Sequence, residues 1–256
     1  GDGNVLEAAA LFRRAIEHDA GFAQAHAGLA NALAIKGQWR LDMTPADFDE
    51  AMTASRRALE LEPRLAEAIV ARACVLSMQG RAAEAEQAFE DALRVNPASY
   101  EACFFYGRHC VATGDAARAA RQFEAAARLE PADYQARCLL VTELDNLGRP
   151  EEARAVGVEA MRIIDGRLER DPQDARALQL GAVLAVRLGD TGHARELVER
   201  SLVTDGGTFS AVYNAACTYA LLGDREQALT MLDRAVTHGR GNLGWIEHDT
   251  DLDPLR

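Results

Sequence analysis

Three aspartates near the end of the 256-residue sequence alternate in a pattern typical of the opening of a calcium-binding loop. Asp249, Asp251 and Asp253 stand in the phrase HDTDLD, and carboxylate oxygens are ligands that Ca²⁺ prefers. Such a loop needs a glycine at its sixth place and a glutamate at its twelfth. Pro254 takes the sixth place here, and the sequence runs only to Arg256. The pattern therefore favours a structural segment, and no metal site is predicted.

The histidines, cysteines and serines form no pattern that predicts catalysis. The histidines lack the H-E-x-x-H spacing, and neither G-x-S-x-G nor a phosphate-binding G-x-x-x-x-G-K-[ST] phrase occurs. The neighbours His109 and Cys110 would diverge by about 100° on a helix, so they would not bind one metal together. We therefore expect no catalytic residues and no cofactor, and a protein that is not an enzyme.

Composition and charge narrow the classes of partner. There are 28 Lys and Arg residues against 40 Asp and Glu, a formal net charge of −12, which argues against nucleic acid as a partner. No apolar run reaches the roughly 18 residues that a membrane span needs, and no signal peptide is visible, so no membrane partner is expected. The five cysteines, an odd number without C-x-x-C spacing, favour a reducing compartment and a cytoplasmic protein.

A period of 34 residues predicts the scaffold that must position any functional side chain. The residues that recur at this step are Ala51, Ala85, Ala119 and Ala153, then Pro63, Pro97 and Pro131, and then Gly80, Gly114 and Gly148. Apolar residues recur at helical spacing on both sides of each glycine. A proline ends the unit, because the residue before proline avoids the helical region. Each unit is thus predicted to be a helix, a glycine turn, a second helix and a proline turn.

This unit resembles the tetratricopeptide repeat, whose period is also 34 residues. The family phrase is a small residue, an aromatic residue, a second small residue and a proline. It stands here as Ala85, Phe89, Ala92 and Pro97, and again as Ala119, Phe123, Ala126 and Pro131. The tryptophan usual in the first helix of the family is missing. The resemblance implies an all-α fold, a right-handed superhelical solenoid of antiparallel helix pairs with about 13 main helices.

The register divides residues 1–256, interpreted as a single solenoid, into an unpaired helix, six repeats and a capping tail. Residues 4–20 are a lone second helix, whose partner we expect to precede Gly1. The repeats are expected at 23–65, 66–99, 100–133, 134–174, 175–208 and 209–240, and the tail at 241–256. The first repeat carries nine extra residues, and the fourth carries seven that lengthen its second helix by two turns. Apolar residues of the tail are expected to cover the last helix pair.

The inner surface of the solenoid is the candidate binding site. Family register places the second, fifth, ninth and twelfth residues of each repeat on this surface. The residues chosen from these positions as a peptide groove are Val70, Cys74, Phe104, Arg108, Cys138, Thr142, Gln179, Val183, Tyr213 and Cys217. Phe104, Arg108 and Tyr213 are expected to be exposed anchors for an extended peptide or a partner helix.

The two ends of the sequence have a narrower resemblance. The phrases LFRRAIEHDAGFAQAHAGLANALAIKG and GRGNLGWIEHDTDLDPLR are similar to tetratricopeptide regions that follow bacterial class III nucleotide cyclase, winged-helix or Ser/Thr kinase domains. The likeness implies a non-enzymatic protein-binding scaffold, one arm of a signalling or regulatory protein. A self-association or ligand-sensing module that controls an attached domain stays open as the alternative. The apolar face of Leu6, Ala9, Phe12 and Ile16 on the unpaired helix is expected to contact another chain.

Overall fold

The computed structural model describes residues 2–38, 44–238 and 243–256, and most of these residues lie in helices. The helices are α1 (Asp2–His18), α2 (Ala23–Gln38), α3 (Pro45–Leu61), α4 (Ala66–Met78), α5 (Ala82–Val95), α6 (Tyr100–Ala112), α7 (Ala116–Leu129), α8 (Gln135–Asn146), α9 (Pro150–Arg170), α10 (Ala175–Arg187), α11 (Thr191–Asp205), α12 (Phe209–Leu221), α13 (Arg225–His238) and α14 (Leu243–His248). A 3₁₀ helix follows at Thr250–Leu255. The described ranges contain no strand, and the expected all-α fold of tetratricopeptide-like helix pairs is confirmed. None of the helices in these ranges has the length and apolar character needed to span a membrane.

The chain forms two compact units, Gly1–His109 and Cys110–Arg256, with the division inside α6. In the first unit α1 packs on α2, α2 on α3 and α4, and α4 on α5. In the second unit α8 packs on α7 and α9, α10 on α9, α11 and α12, and α12 on α13. Within each unit, consecutive helices therefore pack as neighbours. The interpretation of residues 1–256 as one continuous solenoid stays a prediction.

A glycine turn joins the first helix to the second helix in each of five helix pairs. Gly80, Gly114, Gly148, Gly189 and Gly223 have φ values from 68° to 87°, a region that a residue with a Cβ rarely adopts. The turn at Gly80 is closed by the N–H of Arg81, which donates to the carbonyl of Leu76 at 3.0 Å. Equivalent bonds close the other four turns. Gly37, which has the corresponding place in the first repeat, lies within the last turn of α2 instead.

The small and aromatic residues of the repeat phrase form the core, as the sequence predicts. Phe89 and Phe123 have no exposed surface. The ring of Phe89 stacks on that of Tyr106 with 5.2 Å between centroids. In the first unit, Gly28 lets α1 approach α2 closely, since a Cβ there would lie 2.4 Å from the Phe12 ring. Small residues thus let the helices approach closely, and the aromatic rings fill the space between the helices.

The two insertions take different forms. In the first repeat, α3 begins afresh at Pro45 after Thr44, whose hydroxyl accepts the N–H of Asp47 at 3.2 Å in a capping box. In the fourth repeat, α9 has 21 residues where α5 and α7 have 14, which confirms the two additional turns. Residues 39–43 of the first insertion and residues 241–242 of the predicted tail lie outside the described residues.

Candidate functional site

The segment Leu243–Arg256, called the tail segment below, folds back onto the first helices of the second unit. It consists of α14 and the 3₁₀ helix, and the 3₁₀ helix packs mainly against α12 and also touches α13. Sequence analysis places this segment on the last helix pair. The structure extends its contacts to α8, through Thr250, and to α10, through Asp251. The tail segment therefore contacts three successive first helices.

Three of the predicted groove residues lie beneath the tail segment. Val183 of α10 and Tyr213 and Cys217 of α12 are buried in one hydrophobic cluster with Leu252 of the tail segment. The ring of Phe209 stacks on that of Tyr213 with 5.4 Å between centroids. Further apolar residues of the tail segment pack around this cluster, namely Trp245, Ile246 and Leu255. These three residues of the predicted groove are thus covered by the chain's own segment.

Asp249 is the central polar contact of the tail segment. Its Oδ2 accepts the Tyr213 hydroxyl at 2.7 Å and the indole N–H of Trp245 at 3.2 Å. Its Oδ1 accepts the backbone N–H of Asp251 at 3.0 Å and so caps the 3₁₀ helix. Burial and the nearby charge of Asp251 raise the pKa of Asp249 to about 6, although the hydroxyl of Tyr213 opposes the shift. The carboxyl group of Asp249 thus holds the tail segment on α12, although burial at this site disfavours the charged form of the carboxyl group.

Arg187 supplies the cation of the site. Its guanidinium donates to Asp251 of the tail segment and, at 2.7 Å, to Asp145 of α8. Burial opposes the charge of Arg187, but the two carboxylates outweigh burial and raise its pKa. The side chain of Arg187 is only 12% exposed, so removing Asp251 or Asp145 would leave this buried charge with one carboxylate in place of two.

A hydrogen-bond chain connects the tail segment to a buried glutamate on α8. The hydroxyl of Thr250 donates to Oδ1 of Asn146 at 2.8 Å, and the amide of Asn146 donates to Glu143 at 3.3 Å. Glu143 is 4% exposed. Burial raises its pKa to about 7, with additional contributions from the charges of Asp249 and Asp251. The docked tail segment therefore brings Asp249 close to Glu143 on a surface that favours the protonated forms of these two carboxyl groups.

Three residues beneath and within the tail segment are close enough to be considered as ligands of a metal ion. The ligand atoms of Cys217, Asp249 and Asp251 lie within 4.8 Å of one another. Burial, followed by the charges of the two aspartates, raises the pKa of the Cys217 thiol well above its ordinary value, whereas a metal binds the thiolate. Asp251 is paired with Arg187, and Asp249 accepts the hydroxyl of Tyr213. These partners favour a hydrogen-bonded peptide contact over a metal site.

The predicted groove residues are much less accessible than the sequence suggests. Arg108 and Thr142 are partly exposed. The other members are buried, namely Val70, Cys74, Phe104, Cys138, Gln179, Val183, Tyr213 and Cys217. The expectation that Phe104 and Tyr213 are exposed anchors is wrong, since they are 7% and 6% exposed. The ring of Phe104 packs between those of Tyr100 and Phe105, and the tail segment covers Tyr213.

Sequence reasoning missed Asn146 and Arg187 as contact residues. They lie four residues after Thr142 and Val183, two residues that were predicted to face inward. Residues four apart share a helix face, so extending the predicted stripe by one turn would have found both. The sequence indicates a structural role for the alternating aspartates, but it does not show which residues they contact. Their partners, Tyr213 and Arg187, are far from them in sequence.

Stacked helix pairs with a polypeptide segment on their first helices define a helical repeat protein, and comparisons with known proteins agree. Three models described as tetratricopeptide repeat match residues 76–121, 107–167 and 209–237. Together with the fold, these matches support a tetratricopeptide repeat protein. A search of curated proteins finds no match to the sequence.

Solved structures from several organisms have similar folds. The pilF protein of Pseudomonas aeruginosa is 16% identical with a TM-score of 0.55, and the match covers 88% of this chain and 97% of that chain. A tetratricopeptide repeat protein from Parabacteroides merdae is 17% identical with a TM-score of 0.55, over 99% and 93%. The human IFIT1 dimer with PPP-AAAA is 18% identical with a TM-score of 0.67, over 100% of this chain but 60% of that chain. At these identities the likeness concerns the fold alone.

Proposed function

We propose that this protein is a protein–protein interaction scaffold that binds a peptide or partner helix on the inner surface of its helix pairs. The observation that supports this function is that side chains of three first helices hold the chain's own tail segment on this surface. Asn146 of α8, Arg187 of α10 and Tyr213 of α12 each contact it through a side chain. A surface that holds its own chain through side-chain contacts has the features needed to hold a segment of another protein.

A binding role is favoured over a catalytic one by the state of the polar groups. Asp249 and Asp251 are engaged by Tyr213 and Arg187, and the raised pKa of Cys217 makes its thiol a poor nucleophile. The scaffold is further proposed to be a cytoplasmic arm of a bacterial signalling or regulatory protein, which the resemblance of the two ends supports. The formal net charge of −12 supports polypeptide rather than nucleic acid partners.

Charge-changing variants on and off the inner surface test this function. The ten predicted groove residues include Arg108 in the first unit and Thr142 in the second, and these two are partly exposed. Partners captured by the full chain would be compared with those of Arg108→Glu and Thr142→Arg by quantitative mass spectrometry. The matched control is Arg128→Glu, because the Arg128 side chain is 67% exposed on the second helix α7. Melting curves establish that each variant is folded.

Capture of a polypeptide partner should be unchanged in Arg128→Glu and reduced by about fivefold or more in the inner-surface variants, as expected when a contact worth over about 1 kcal/mol is lost. Equal capture by all folded variants would show that this surface does not bind the partner.

A second candidate function is self-association through α1, which is supported by its exposed leucines. Leu6 and Leu11 are 51% and 54% exposed, while Ala9 is buried against the rest of the unit. Sedimentation velocity at high micromolar concentration should show a dimer that Leu6→Lys dissociates. Val203→Lys is the control, because Val203 is 89% exposed on α11 and should leave the dimer intact. A monomeric full chain would refute this candidate.

A further inference from the structure

We infer that the tail segment is a tethered competitor for the inner surface of the second unit, and that this surface binds an acidic polypeptide segment of another protein with the same chemistry. The inference rests on the proposed function, because it specifies which polypeptide the scaffold recognises. The side chains that hold the tail segment would hold such a partner, so the two cannot be bound together. Release of the tail segment is thus the step that makes this surface available.

The chemistry of the partner follows from the contacts of the tail segment. Trp245 packs on the apolar cluster, Asp249 accepts the Tyr213 hydroxyl, Asp251 pairs with Arg187, and Leu252 enters the cluster. The matching pattern is an aromatic residue, an acidic residue four positions later, a second acidic residue two positions further on, and then a leucine.

A neutral or basic segment fits this surface poorly. A segment without a hydrogen-bond acceptor at the Asp249 position would leave the Tyr213 hydroxyl unpaired. A segment without a carboxylate at the Asp251 position would leave Arg187, which is only 12% exposed, with one carboxylate partner fewer. The specificity of the surface therefore lies in a carboxylate opposite Arg187 and an acceptor opposite Tyr213, with apolar residues on either side.

The tether decides how strong a competitor the tail segment is. Four residues separate His238, the last residue of α13, from Leu243. A short linker of this kind gives a tethered segment an effective concentration in the range of roughly 1 mM. A free peptide of the same sequence should therefore displace half of the tail segment only near that concentration. A substitution that weakens the binding of the tail segment to the first helices should lower the peptide concentration needed to displace it.

Displacement can be measured in the full chain through Trp245. The chain has two tryptophans, so Trp39→Phe leaves Trp245 as the only indole. The probe is a synthetic peptide of residues 243–256 with phenylalanine in place of Trp245, which is silent at tryptophan wavelengths. As the tail segment leaves α12, the Trp245 emission should shift to the red and acrylamide quenching should increase. A fluorescein-labelled copy of the peptide reports binding separately through its anisotropy.

Substitutions in the tail segment measure how much each of its contacts contributes to the competition with the peptide. Asp251→Asn removes the ion pair with Arg187 and should lower the half-displacing peptide concentration by about tenfold, the effect of one charged hydrogen bond. Asp253→Asn is the matched control and should leave that concentration unchanged, since Asp253 is exposed and pairs with Arg256. If Asp251→Asn does not fold, Thr250→Ala removes only the bond to Asn146 and should lower the concentration by about threefold.

The outcomes separate the inference from the function on which it rests. A peptide with asparagine at both acidic positions should displace the tail segment at least about tenfold less well, and equal displacement would overturn the acidic specificity. Binding of the labelled peptide with unchanged Trp245 emission would overturn the competition but leave the scaffold function intact. If Trp245 is already released in Asp251→Asn and the labelled peptide still does not bind at millimolar concentration, both the competition and the scaffold function would be overturned for this surface.

Discussion

Replacing Glu143 with glutamine tests the charge balance beneath the tail segment. The pKa of Glu143 is raised to about 7, first by burial and then by the charges of Asp249 and Asp251. The folded protein therefore binds this proton more tightly than the unfolded chain does. The resulting stabilisation is fully present below the unfolded pKa of about 4.5 and is lost as the pH rises through 7. Glutamine is neutral at every pH and keeps a similar shape.

The expected effect is a stability difference that depends on pH. At pH 8, Glu143→Gln should be more stable than the parent by roughly 2–3 kcal/mol, since one pKa unit corresponds to about 1.4 kcal/mol. At pH 5 the difference should fall to about 1 kcal/mol, because Glu143 is then protonated in the folded parent while most unfolded chains have already lost that proton. Asp249, whose pKa is raised to about 6, is present in both proteins, so most of its own pH dependence cancels in the comparison. The remaining difference reports Glu143 together with its interaction with Asp249.

Guanidinium unfolding followed by Trp245 emission, in the Trp39→Phe background, measures this difference at pH 5, 6, 7 and 8. Glu169→Gln is the control, because Glu169 is exposed on α9, and its stability should stay within about 0.5 kcal/mol of the parent at each pH. A Glu143→Gln protein that is less stable than the parent at pH 8, or equally stabilised at all four pH values, would refute the proposed charge balance.

Five further substitutions have expected outcomes in urea unfolding. Phe89→Ala and Phe104→Ala should each cost about 3–5 kcal/mol, because both rings are buried; a silent Phe104→Ala would mean that this ring is an exposed anchor after all. Gly148→Ala should cost about 1–2 kcal/mol because its φ is 68°, whereas Gly166→Ala, inside α9 with open space around it, should stabilise by about 1 kcal/mol. Arg187→Ala should cost about 3–5 kcal/mol by leaving Asp251 and Asp145 without their cation; an unchanged stability would show that this pair does not hold the tail segment.

The repeat scaffold was predictable because its determinants are local. Gly80 ends a helix by adopting a positive φ, and Phe89 is buried beside the ring of Tyr106. The glycine recurs with a positive φ in five turns, and the aromatic residue recurs as Phe123, so the pattern is visible in the sequence. The capping box at Pro45 is equally local, because Thr44 and Asp47 satisfy each other's backbone groups.

The candidate site was less predictable because its contacts join distant parts of the sequence. Thr250 and Asn146 are 104 residues apart, and Arg187 and Asp251 are 64 apart. The register of the repeat family that the sequence resembles placed Tyr213 on the inner surface, but it carried no information about what covers that surface. It therefore predicted an exposed ring where the structure has a buried one.

The span of the tail segment also bears on how the second unit opens. In an array where each helix pair contacts only its neighbours, the end pair exchanges its amide hydrogens first, and protection increases inward. Here, Thr250 holds α8, Asp251 holds α10 and Asp249 holds α12. Freeing α12 and α13 therefore also breaks contacts on the two first helices before them. We expect the amides of these three helices to exchange at similar rates, and the gradient typical of a fraying repeat array to reappear once the tail segment is released.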